Sequence, residues 1–230
     1  MTSVFERYFD CFLHPFWMQK RLRQGRARRQ ELVEAGLVSA ADINTRSEIP
    51  SFTEALVMSW PFIFAKAIYS FLATWIGIEA ARWVVETHAI CRLFVLPMTE
   101  IGPIFGVAVV LIEVALFPLS LWFFAKFWEV TIKFFCDLFN MGLTPAEAAI
   151  RSDEIVTQSL ASSVFLLIPI FGSLLRFFSG PLYIYAGLKN NIGMNTSQAL
   201  TVVLAPAVLF LVMLCLLFLS FAAMVMAVLG

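Results

Sequence analysis

From Val202 to Val228 the chain carries no charged residue, and no other stretch constrains its fold more. As a helix that segment extends about 40 Å, longer than the roughly 30 Å of hydrocarbon in a bilayer. The whole chain follows suit, with 60% hydrophobic and 14% charged residues, including 24 Phe and 6 Trp, among 230. A soluble domain carries about 25% charged residues. The apolar excess has to face lipid, so the sequence describes an integral membrane protein, all-α because helices satisfy their own backbone in hydrocarbon.

Four more apolar stretches precede it. The sequence predicts spans over about 56–78, interrupted by Lys66; 103–127, with Glu113 inside and Pro118 as a kink; then 155–171 and 174–188, split by Pro169, Gly172, Gly180 and Pro181 around Arg176; and finally 202–228. The third and fourth are short enough to form either a full hairpin or one span with a re-entrant piece. The expected architecture is a five-helix transmembrane domain over 51–230, preceded by a cytoplasmic amphipathic and basic segment over 1–50. Ser51 or Thr53 caps the first span after Pro50.

Positive charge sets the orientation. Residues 1–50 hold 8 basic and 6 acidic groups, and six of the basic ones, Lys20, Arg21, Arg23, Arg26, Arg28 and Arg29, form the run KRLRQGRARR. With that run on the cytoplasmic side, Lys126, Lys133, Arg151 and Lys189 fall there too, while Arg82, Arg92 and Arg176 face the other way. This places the C-terminus outside. Residues 79–100 read as an amphipathic segment on the outer surface.

The N-terminus does not read as a cleavable signal, since Arg7 and Asp10 interrupt its apolar part. Phe5, Phe9, Phe12, Phe16 and Trp17 recur at helical spacing instead, with Pro15 ending or bending the helix and a second, polar helix expected over 28–41. An aromatic stripe beside a basic cluster suits a helix in the headgroup layer, held by anionic lipids. Docking on the protein's own spans explains the same stripe, and the two readings are compatible. No aromatic-interleaved nucleic-acid fold accompanies the basic run, so no nucleic-acid partner is expected.

Charges at membrane depth face a bundle interior and take partners. Lys66 and Glu113 are the deepest, and antiparallel helices bring them to similar depth. They read either as an ion, proton or headgroup site or as a buried pair fixing helix register, and the second is favoured because two charges make a poor conduction path. Glu79, Lys126, Glu129 and Arg176 are further candidate polar positions nearer the span ends. Gly102 with Gly106, and Ser159 with Ser163, have the four-residue spacing that lets helices approach closely.

No nucleophile elbow, phosphate-cradling glycine loop or zinc-protease pair occurs. Four scattered cysteines and two histidines form no metal pattern. Asp153 and Glu154, with Pro145 and Glu147, read as helix caps in a cytoplasmic loop. Neither catalysis nor a cofactor is expected.

The second half carries a family pattern. GLTPAEAAIRS leads into a span ending IPIFGSLL; a short span then closes with PLYIYAGLKNNIGMNTSQAL, and the last span begins near Pro206. With Pro169, Gly172, Tyr183, Tyr185, Gly187, Leu188, Lys189, Gly193, Ser197, Ala199, Leu200 and Pro206, it resembles the Yip-one domain family, five-span membrane proteins named for interacting with Ypt/Rab GTPases. The resemblance covers about the last ninety residues. It implies five helices, a cytoplasmic N-terminus and, in eukaryotic members, vesicle trafficking and membrane shaping. The short soluble tail points to a bacterial member in the inner membrane, without a separate Rab-contacting segment. The functional expectation is a non-enzymatic scaffold that organises membrane or partner proteins, by self-association or with other membrane proteins. The alternatives are an accessory subunit of a larger complex, or a lipid or ion transporter using Lys66, Glu113 and Arg176.

Overall fold

The computed structural model describes residues 3–36, 49–87 and 92–229. Every regular element among them is helical. In order they are α1 (Val4–Leu13), α2 (Pro15–Glu34), α3 (Phe52–Thr87), α4 (Arg92–Leu138), α5 (Pro145–Ser159), a 3-10 segment (Leu160–Leu167), α6 (Gly172–Gly187), a π turn (Leu188–Ile192) and α7 (Thr196–Leu229).

Local chemistry explains the boundaries. Ser3 caps α1 by a reciprocal pair with Glu6, and Thr144 does the same for α5 with Glu147. Ser51 forms the equivalent pair with Glu54 at the head of α3, which selects Ser51 over Thr53 as the cap. Pro15 does not simply end a helix: it stands at the first position of α2, where its missing N–H costs nothing. The polar helix expected over 28–41 is therefore the end of a longer one that starts at Pro15 and stops at Glu34. Pro118 lies inside unbroken helix.

Among the described residues three helices are long and apolar enough to cross a membrane: Phe52–Val84, Ile104–Leu138 and Thr196–Met226. They correspond to the first, second and fifth predicted spans, each longer than predicted: the first at both ends, the second at its C-terminal end and the fifth at its N-terminal end. The third and fourth predicted segments are built differently. Residues 155–171 begin in α5, tighten into the 3-10 segment and turn back at Ile168–Phe171; α6 then descends beside them. Two glycines permit that return. A Cβ on Gly172 would overlap the Phe165 carbonyl, and one on Gly187 would lie 2.6 Å from the Ile155 branches. The turn also holds Ile170 at φ 66°, a left-handed conformation that β-branched residues rarely adopt.

Residues 79–100 are not a flat surface segment where they are described: Glu79–Thr87 ends α3 and Arg92–Glu100 begins α4. The intervening residues 88–91 lie outside the described ones.

The core sits at one end. One cluster joins Tyr8 and Cys11 of α1 and Met18 and Leu22 of α2 to Ile63, Phe117, Leu121, Leu160 and Tyr183. A second joins Trp128, Ile132 and Cys136 of α4 to Ile155, Ile184, Leu188, Ala199 and Val202. Beyond these clusters α7 parts from the other helices, while α3 and α4 stay paired through Lys66–Glu113 and up to Thr74 and Gly106. The buried share of the long helices' most apolar windows falls from 22% in α3 to 11% in α4 and 6% in α7. The last helix is thus attached mainly by its first turns.

Candidate functional site

Two polar assemblies stand out against this apolar background. The first lies among α2, α5 and the π turn. Gln19 donates to Gln158, whose own amide donates to the Pro15 carbonyl at 3.0 Å. Asn191 donates to Gln19 at 2.6 Å and to Glu154 at 3.0 Å, and Arg26 closes the circuit on Glu154 at 2.6 Å and on Asn191. Gln19, Glu154, Gln158 and Asn191 are all buried. Each lone pair left unpaired there would carry a desolvation penalty, so the circuit fixes α2 against the hairpin. Nearby, the Tyr8 hydroxyl shares a 2.8 Å hydrogen bond with Ser59 and donates to the Leu160 carbonyl, while Tyr183 donates to the Phe12 carbonyl at 2.7 Å. Burial holds the Tyr8 phenol above its usual range and pushes the Cys11 thiol up to about 12, so both stay protonated.

These contacts revise the reading of residues 1–30. The Arg26 guanidinium is on Glu154 and Asn191, and leaving that buried carboxylate unpaired would be costly. Glu154 correspondingly sits inside α5 rather than capping a helix, and Asp153 precedes it in the same helix. Phe9 and Phe12 pack partly buried against the core, with Phe12 edge-on to Phe165. Phe5, Phe16 and Trp17 point outward, as do Lys20, Arg21 and Arg28; Arg23 is exposed with its guanidinium laid against Gly193, and Arg29 is half-buried. Arg21 also stacks over Trp17, 5.1 Å from the ring centroid. The segment therefore has one face on the protein and one face off it.

The second assembly is at mid-height of the long helices. Lys66 of α3 and Glu113 of α4 form an ion pair. Glu113 stands midway between Glu100 and Lys126, about 20 Å from each at the helical rise. Tyr69, one turn above Lys66, donates to the Leu166 carbonyl at 2.6 Å, which puts the hairpin's return at the same height. Arg176 of α6 lies over Phe117, 5.2 Å from its centroid. Lys66, Glu113 and Arg176 line one cavity of about 800 Å³ with Phe124, Trp128, Ser162, Pro181, Val203 and Phe210.

The remaining predicted positions do not converge on it. Glu79 pairs with Arg82 at 3.0 Å along α3, and Glu129 with Lys126 at 2.7 Å and Lys133 at 2.6 Å along α4. Gly106 does serve close packing, since a Cβ there would come within 3.0 Å of Thr74 on α3. Gly102 lies in α4, and its contacts fall outside the described ones. Ser159 and Ser163 are buried within the hairpin, where Ser159 donates to the Val156 carbonyl. Among the described residues no three His, Cys, Asp or Glu side chains are grouped to hold a metal ion.

Among the described residues the fold and the two assemblies define an all-helical protein with three helices of membrane-crossing length and a polar-pinned helical hairpin. Comparison with protein-family models, with curated proteins and with solved structures finds no match.

Proposed function

We propose that this is a non-enzymatic membrane-organising protein that associates with other membrane proteins, or with its own copies, through α7. The observation that carries this reading is the separation of α7 from the rest of the chain. Its side chains from Ala207 to Met226 are exposed, including Phe210, Phe218 and Phe221. In lipid, helices gain little from hydrophobicity by associating, so what selects partners is shape and packing. A membrane-length helix that its own chain leaves uncovered is free to supply that packing elsewhere. The resemblance to Yip-one proteins supports the same reading.

We place the N-terminus and the network around Glu154 on the cytoplasmic side of a bacterial inner membrane, following the lysine and arginine bias. In this arrangement α3, α4 and α7 cross, and the α5–α6 hairpin enters from the cytoplasmic side to half-depth. The five crossings predicted from sequence become three full spans and one re-entrant hairpin. The exposed faces of Phe5, Phe16 and Trp17 then meet the inner leaflet, with the outward arginines beside anionic headgroups.

Cys215 gives a native reporter, because it is exposed on α7 whereas Cys11 and Cys136 are buried. Copper-phenanthroline oxidation of native membranes, in which oxygen takes the two electrons and two protons of the thiol pair, is expected to give a disulfide-linked species that reductant and Cys215→Ser both abolish. If no linked species forms at Cys215 or at single cysteines placed at the neighbouring Leu211, Val212, Leu214 and Phe218, α7 faces lipid alone and the association role is lost.

A further inference from the structure

The cavity at mid-height has a charge imbalance. Two cations, Lys66 and Arg176, face one carboxylate, Glu113, and Glu113 is taken by Lys66. The Arg176 guanidinium stacks on Phe117 but pairs with no carboxylate or carbonyl among the described residues. A lone arginine at this depth costs several kcal/mol unless water or a headgroup is drawn in to meet it. The cavity offers the room, and it is open along its length rather than sealed. Its wall on α4 runs from Glu113 down to Trp128, about 22 Å at the helical rise, between half-depth and the cytoplasmic end. Most of the lining is apolar, with Phe124 on α4, Phe177 on α6, and Val203 and Phe210 on α7.

We propose that the groove between α4, α6 and the first turns of α7 binds one anionic membrane phospholipid, with its phosphate on Arg176. The argument is charge complementarity. The guanidinium fork matches two phosphate oxygens, and binding there neutralises the uncompensated cation. Ser162 and Ser173 supply hydroxyls on the same lining; the headgroup enters from the cytoplasmic end and reaches along the groove to Arg176, while the acyl chains stay in the surrounding lipid through its open side. Phosphatidylglycerol, with a net negative headgroup, fits this site; phosphatidylcholine does not, because its ammonium would add a third cation. The site shares only Ala207 and Phe210 with the uncovered stretch of α7, so loss of association through the residues beyond Phe210 leaves it intact, and it differs from the basic face of α2 in being inside the bundle.

Photo-crosslinking tests it on the full chain. Benzoylphenylalanine installed at Phe210 reports the lipids that occupy the groove, in vesicles of phosphatidylcholine doped with phosphatidylglycerol and oleate. Bulk lipid labels in proportion to its mole fraction. Phosphatidylglycerol adducts are expected to exceed that baseline about tenfold, the ratio equivalent to about 1.4 kcal/mol. Arg176→Gln should return them to baseline, and Arg176→Lys, which keeps the charge but loses the fork, should keep only part of the excess. Ala207→Trp, which fills the cavity without touching a charge, should also remove it and decides the matter if Arg176→Gln does not fold. Neutralising Arg21, Arg23 and Arg28 to Gln should leave the excess unchanged. The proposal fails if wild type shows no excess, if the excess survives Ala207→Trp or a folded Arg176→Gln, if it follows the N-terminal arginines, or if oleate is enriched instead.

Discussion

At Lys66 and Glu113 the geometry makes a claim about energy. Two opposite charges in contact at mid-height neutralise each other, whereas either alone is an uncompensated charge in a medium of low dielectric. Lys66→Met and Glu113→Gln are each expected to lower stability by about 3 kcal/mol, and the double change by clearly less than the sum. Thermal melts of the four proteins in mild detergent measure the coupling; strict additivity would mean that the two residues do not act as a pair. Asn191 makes a similar case without net charge. Its amide serves Gln19 and Glu154 at once and its carbonyl accepts from Arg26. Asn191→Leu strands three partners, and the same melts should show a loss of at least about 2 kcal/mol. Surface substitutions such as Arg28→Gln should change stability by less than about 0.5 kcal/mol.

Among elements, the hairpin depends on Gly187, where α6 meets Ile155 too closely for any side chain. Gly187→Val is expected to force the two helices apart at a cost of about 1–3 kcal/mol, and Ile155→Ala in the same protein should recover part of it by making space. At the other end of α5, Thr144 and Glu147 exchange hydrogen bonds, and the bond from the Thr144 backbone holds the Glu147 carboxyl below its usual range. A depressed carboxylate contributes stability above its unfolded value and loses it as pH falls through the folded one. The difference between wild type and Glu147→Gln in a pH series of melts should therefore vanish at acid pH and be full near neutrality. The Ser51 cap and the capping role of Glu147 were legible in the sequence, as were the three apolar spans, because each depends on neighbours a few residues apart; the caps Thr144 and Ser3 were not singled out. The pairing of Lys66 with Glu113 was legible too, from helix direction and depth. The circuit of Gln19, Arg26, Glu154, Gln158 and Asn191 was not, because its members lie on three elements and none stands out by local pattern. Its only sequence trace is the cluster of Ser, Thr and Gln beside Glu154 in a segment otherwise apolar enough to read as a span.

On the scale of the whole molecule, the packed end and the separated end imply different environments. The packed end combines α1, α2, the hairpin and the lower halves of α3 and α4 in two clusters with a polar circuit. Above the hairpin's return, α3 and α4 run on, with Trp75, Ile76, Ile104 and Leu111 exposed. The return itself is apolar and outward, with Ile170 83% and Phe171 60% exposed. Such a tip is unfavourable in water and favourable in hydrocarbon. A hairpin that crossed fully would carry its tip into the outer aqueous phase, whereas a re-entrant one leaves it in lipid. Single cysteines distinguish the two. In a protein with Cys91 and Cys215 replaced by Ser, Ile170→Cys should resist a membrane-impermeant maleimide from either side and react only after detergent is added. Arg82→Cys, near the outer end of α3, should react from outside, and Arg28→Cys only from inside. Labelling of Ile170→Cys from outside in intact cells would restore five crossings. The cavity holding Arg176 would then lie along a complete span, with its cation nearer the outer headgroups.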